Sequence, residues 1–232
     1  MIKIDDDFED IIEDVNLSLE LINFNDKYDN IGYEKEKSDV DYIIKGIIFF
    51  KYLESDDYCD KNHYFDSMLY NALMSLYSVY NHSAHIFYFF YRSYIENLIR
   101  VILELDNESE KGVMSLFKSF KNLHSTDDWN DLYNYLESEY GTASCYIHSN
   151  VKANIKISTY LREILENENM SVIDRASCIN NLKNMINKSI LIFIENDYLR
   201  VSRGFNRRQK RLKFLIGDEN NKIYKDKVHL LS

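Results

Sequence analysis

The sequence predicts an all-α protein, an antiparallel helical bundle with an acidic helical appendage at its N-terminus, and three observations lead there. Among 232 residues there is no proline and there are only six glycines, where average usage would supply about a dozen prolines. The residues that punctuate turn-dense β-proteins and collagen-like or proline-rich chains are therefore missing. Apolar residues recur at three- and four-residue steps through most of the chain, the period of a helix with one buried face. Hydrophobic residues make up 45% and charged residues 28%, which suits a sizeable core in one domain, or in a domain with a small addition.

Three regions follow along the chain: an acidic appendage over 1–60, a bundle over 61–196, and a basic C-terminal helix and tail over 197–232. The first thirty residues hold ten acids against Lys3 and Lys27, with Phe8, Ile11, Ile12, Val15, Leu19 and Ile22 at helical spacing. They predict an acidic amphipathic helix. The polar stretch Asn23 to Ser38 reads as a loop, and Asp39 to Leu53 as a helix with Ser38 or Asp39 as its cap. After a polar break at Ser55 to Asn62, His63 to Tyr80 and Ser83 to Leu105 are apolar or aromatic on almost every side. Such helices belong at the centre of a bundle or at an oligomer interface. Val113 to Leu123 predicts a short helix. Ser125 and Thr126 precede a long one, Trp129 to Leu165, with Gly141 and Asn150 as points where it would break. Ser171 to Asn196 and Asp197 to Leu215 predict two more, the latter ended by Gly217, and Asn221 to Ser232 reads as a strand or a frayed end.

The formal net charge is −10, a field that repels nucleic acid at long range and makes any such contact depend on a local basic patch. Cys59, Cys145 and Cys178 are far apart and odd in number, so they read as buried thiols of a reducing compartment. The acidic N-terminus lacks the pattern of a signal peptide, and no window approaches a membrane span. A cytoplasmic protein without membrane contact is expected. His82 and His85 stand near one another, but nothing completes a metal site around them. No phosphate-binding glycine loop, GxSxG elbow or CxxC pair is present, so neither metal nor cofactor is expected.

Two polar groups stand out against apolar surroundings. Arg92, Glu96 and Arg100 are spaced at four residues in the most hydrophobic helix, which puts them on nearly one face. Buried, they must pair internally; the plainer alternative is a solvated stripe. The second group is the run YGTASCYIHS, in which Tyr140, Ser144 and His148 share a helix face. A histidine beside hydroxyls serves as general acid, general base or phosphate donor near neutral pH, or simply bonds a neighbouring helix.

An aromatic helix containing YRSYIENLIR, followed about forty residues later by YGTASCYIHS, resembles the HEPN superfamily of small helical bundles over Tyr64 to Asn196. The likeness is one of helix order and polar positions. It implies a bundle of four or five helices that dimerises and, in active members, cleaves RNA without metal. In those members an arginine about one turn before a histidine supplies the chemistry. By this resemblance the catalytic set is His148, Arg92, Tyr140, Ser144 and Glu96, in a metal-independent endoribonuclease of a bacterial or phage conflict system. Arginine would stabilise the phosphorane's charge, and histidine would handle the proton of the ribose 2′-hydroxyl. Where the family's arginine stands, this chain has Gly141, Thr142 and Ala143, which carry no charge. Arg92 of the facing helix is a substitute in space, unless Glu96 holds it in an ion pair; a nucleic-acid- or protein-binding relative that has lost catalysis fits the missing arginine at least as well.

A third feature is the run of Arg200, Arg203, Arg207, Arg208, Lys210, Arg211 and Lys213, seven positive charges in fourteen residues without an acid. It suits a phosphate backbone, with Tyr198, Phe205 and Phe214 as stacking surface. It equally suits a solvated helix face, or a dock for the chain's own acidic N-terminus. Together with the resemblance and the apolar faces of the Ser83 to Leu105 helix, this makes RNA, a protein in a defence complex and a second copy of the chain the expected partners. The competing class is a non-enzymatic adaptor, immunity protein or inhibitor acting through the acidic helix or the bundle surface.

Overall fold

The computed structural model describes residues 34–54, 63–81, 84–148 and 170–231. These form eight α-helices and, among the described residues, no strand. They are α1 (Glu34–Glu54), α2 (His63–Asn81), α3 (Ala84–Ile102), α4 (Val113–Lys121), α5 (Asp127–Ile147), α6 (Val172–Asn196), α7 (Tyr198–Gly204) and α8 (Gln209–Leu231). Without proline, the helices end at capping residues. Thr126 accepts from the Trp129 amide at the start of α5, Ser171 from the Asp174 amide at the start of α6, and Asp197 from the Arg200 amide at the start of α7.

Buried residues from every helix join in one core. Helix α3 lies against α2, α4, α5 and α6, and α6 lies against α1, α2, α3, α5, α7 and α8. The pairs α2–α3 and α3–α5 are antiparallel. His63 and Tyr64 at the start of α2 bond Asn107 and Ser109 beyond the end of α3. Tyr88 of α3 stacks on Tyr146 of α5, whereas Tyr91 bonds the earlier Glu139. Helix α6 runs the same way as α1: Asp39 meets Lys183, Tyr42 meets Asn187, and Phe50 meets Phe193.

Several boundaries differ from those the sequence predicts. The loop expected up to Ser38 ends earlier, because α1 begins at Glu34, and Asp39 lies within the helix as the partner of Lys183 at 2.6 Å. The part of the expected appendage that is described does not stand apart: Ile43, Phe49 and Phe50 of α1 are fully buried in the common core. Gly141 does not break α5, which runs on to a cap at His148. The basic helix expected over Asp197 to Leu215 is two helices joined by a turn, in which Arg207 takes φ 62°. The tail is helical to Leu231, after a kink at Gly217 where φ is 81°. The acidic helix of the first thirty residues, the break at Ser55 to Asn62, Cys59, His82 and the stretch from Asn150 to Leu165 lie outside the described residues. Cys178 is buried and Cys145 partly so. No described helix is long and apolar enough to cross a membrane.

Candidate functional site

The seam between α3 and α5 joins three of the polar residues singled out in the sequence. On α3 the aromatic residues Phe87, Tyr88, Tyr91 and Tyr94 are buried, which carries the side chain of Arg92 to the edge of the core facing α5. Its guanidinium donates from Nε to Ser144 Oγ at 3.1 Å and from Nη2 to the Tyr140 hydroxyl. It also lies 4.8 Å from the centre of the Tyr140 ring, a geometry that adds cation–π attraction. The Tyr140 ring is braced from behind by Phe117 of α4, with centroids 5.2 Å apart. Burial holds the Tyr140 phenol above its ordinary pKa; Arg92 pulls the other way and Glu96 adds to the rise. The phenol is therefore neutral near pH 7 and offers Arg92 no counter-charge.

Glu96 does not hold Arg92. It pairs with Arg100 at 3.0 Å, and Arg100 also donates to the carbonyls of Ser109 and Lys111, fastening the connection that leads into α4. Glutamate preceding its cation by four residues complements the helix dipole, whereas arginine preceding glutamate does not. Among the described residues Arg92 is left without a carboxylate partner. His148, one turn beyond Ser144, is exposed and caps α5 through its own amide, which donates to the Ser144 carbonyl at 3.0 Å. Its ring makes no hydrogen bond to Arg92. The seam therefore brings Arg92, Tyr140 and Ser144 together, sets Glu96 aside in a structural pair, and leaves His148 at the rim.

The basic run is divided. Arg200 is buried, bonded to Asp197 at 2.8 Å and near Glu104 at 3.9 Å. Arg211 is also buried and donates to the Tyr52 hydroxyl at 3.1 Å. Neither faces solvent as a phosphate contact must, because a charge leaving water needs internal partners. Phe205 is fully buried against Phe49 and offers no stacking surface. Lys213 pairs with Asp218 at 2.8 Å on the surface. Arg203, Arg207, Arg208 and Lys210 surround the turn between α7 and α8, and all but the partly buried Arg208 are exposed.

Sequence reasoning missed the network on the other side of the seam. There the Tyr91 hydroxyl donates to Glu139 at 2.7 Å and reaches the Asn181 carbonyl at 3.3 Å. No spacing within one helix points to it, because its members come from three different helices. It also missed a small open cleft of about 130 Å³ lined by His124, Thr126, Asp128, Trp129, Glu195 and Lys227. Its wall is closed by the Lys227–Glu195 pair at 2.6 Å. No group of three or more His, Cys, Asp or Glu that could hold a metal ion occurs among the described residues. Compared with protein-family models, with curated proteins and with solved structures, the chain matches none.

Proposed function

We propose that the chain is a HEPN-like helical protein of a bacterial or phage conflict system, cytoplasmic, that binds RNA along the α3–α5 seam. One observation carries the reading: Arg92 is held in place by Tyr140 and Ser144, has no carboxylate partner among the described residues, and bonds the residue that stands one turn before the exposed His148. A guanidinium fixed by neutral groups keeps its charge for an incoming phosphate, and its planar fork matches phosphate oxygens. Cleavage at such a seam would be metal-independent, with Arg92 stabilising the phosphorane's charge and His148 moving the ribose proton. The stripe of Tyr70, Leu73 and Tyr77, exposed at 56%, 45% and 44% on α2, supports a homodimer.

Purified protein incubated with mixed RNA and a chelator tests the reading. Cleavage that drops by about a hundred-fold or more in His148→Ala, and falls likewise in Arg92→Ala, upholds an endoribonuclease. Binding without cleavage upholds an RNA-binding relative. Neither binding nor cleavage rejects both and favours the second reading, a non-enzymatic interaction factor. That alternative draws support from the uncharged Gly141, Thr142 and Ala143, and from the lack of contact between His148 and Arg92.

A further inference from the structure

We infer that Phe89 is the base-stacking platform of the α3–α5 seam, and that the ligand it takes is an unpaired nucleotide of single-stranded RNA. The inference rests on the RNA reading above and adds to it a binding residue and a strand preference.

Residues 89, 92 and 96 of α3 follow at three- and four-residue steps and share a face; residues 140, 144 and 148 of α5 do the same. The two helices are antiparallel, and their levels are pinned by two contacts. Tyr88 stacks on Tyr146 with centroids 4.0 Å apart, and one turn further along α3 Arg92 bonds Ser144 at 3.1 Å. Phe89, next to Tyr88, therefore belongs to the same end of the seam as His148, on the side that carries Arg92.

Phe89 breaks the pattern of its helix. Its neighbours Phe87, Tyr88 and Tyr91 are buried, yet Phe89 is 50% exposed. Phe90 meets its ring at 5.3 Å with an interplanar angle of 84°, an edge-to-face contact that orients the ring. One turn away, Arg92 has Nε and Nη2 engaged, while Nη1 makes no hydrogen bond among the described residues. Glu96, the nearest acid on that face, is neutralised by Arg100 and does not turn a phosphate away. An accessible aromatic ring one helical turn from a guanidinium matches a nucleotide, base on ring and phosphate on cation. Bases within a duplex keep their faces stacked on one another, so only an unpaired base can use such a ring.

The test is the binding of a labelled single-stranded RNA and of its duplex, followed by fluorescence anisotropy across a salt series. Phe89→Leu keeps apolar bulk and removes the π-face; it should weaken single-strand binding by about ten-fold. Duplex binding and the salt dependence should not change, because no cation is lost. Phe89→Trp should bind the single strand at least as tightly as the native chain. Native-like single-strand binding by Phe89→Leu, equal losses for single strand and duplex, or a loss in Phe89→Trp would each overturn the platform while leaving the RNA reading intact. If the native chain binds neither RNA form, both fall.

Discussion

At the scale of single residues, the arginines divide by what surrounds them. Arg200 and Arg211 are built into the interior: one is tied to the Asp197 carboxylate that caps α7, the other lies 5.4 Å from the Tyr52 ring centre and bonds its hydroxyl. Removing one partner of a buried pair leaves the other charge without compensation. Arg200→Ala should therefore cost about 3 kcal/mol of stability in urea unfolding. Arg207→Ala, an exposed residue in the turn between α7 and α8, should stay within about 0.5 kcal/mol of the native chain. Equal effects of the two substitutions would contradict the division. Sequence alone does not separate them, because the run reads as one helix and one helix has one phase. The turn at 205–208 resets that phase, so Arg200 and Arg211 both turn inward. For the Arg92 face, four-residue spacing on a continuous helix gives the shared side but not whether that side is buried or solvated; the ion pair itself joins Glu96 to Arg100, the order the helix dipole favours.

At the scale of helices, what reads clearly in the sequence is whatever depends on local period and caps. Helix α6 fills the predicted span from Ser171 to Asn196, with Ser171 itself as its cap, and α2 and α3 lie within a residue or three of where their aromatic runs place them. What does not read clearly depends on distant partners. Helix α1 is part of the core because Gly46 lets it press against α6: a Cβ at that position would lie 2.2 Å from Ile186 Cγ2. Nothing near Gly46 in the sequence signals an approach to a residue so far along the chain. Gly217 is similar. Expected as a terminator, it instead takes a left-handed φ that turns α8, so that Asn220 bonds Asn187 of α6 and Tyr42 of α1. The close approach yields a prediction at this scale. Gly46→Ala overpacks a fully formed contact and should destabilise by about 1–3 kcal/mol, measured by chemical denaturation. Ile186→Leu moves the branch away from the backbone and should recover part of that loss in the double variant, giving a coupling of about 0.5 kcal/mol or more. Strict additivity would place the two helices further apart than described.

For the molecule as a whole, the 19 tyrosines link the core to solvent conditions. Burial raises the pKa of Tyr88, Tyr91 and Tyr94 above the ordinary value of 10.0; the bond to Ser189 opposes the rise at Tyr94, and a neighbouring phenol adds to it at each of the three. Burial likewise pushes Tyr135 up to about 12, with Glu139 adding to it. Each of these phenols is harder to ionise folded than unfolded. Above pH 10 the unfolded chain therefore binds fewer protons than the native one, and stability falls with rising pH; below that value the contribution is fully present and constant. Urea unfolding followed from neutral pH upward should thus give a plateau and then a decline beginning near 10. Tyrosinate absorbance should show exposed rings titrating first and the buried set only as the fold is lost. Tyr94→Phe, which removes a phenol bonded to Ser189 at 2.8 Å, should flatten part of the decline while lowering stability at neutral pH by about 1 kcal/mol. All tyrosines ionising together near 10 in a folded protein would contradict the buried network. At physiological pH these buried phenols are uncharged, so the formal net charge of −10 is the balance of the acidic and basic side chains. An approaching polyanion meets that field before it meets any single cation, so the RNA binding proposed for the α3–α5 seam would depend on Arg92 remaining without a carboxylate partner. The Glu96–Arg100 pair meets that condition for the acid one turn along α3 from Arg92.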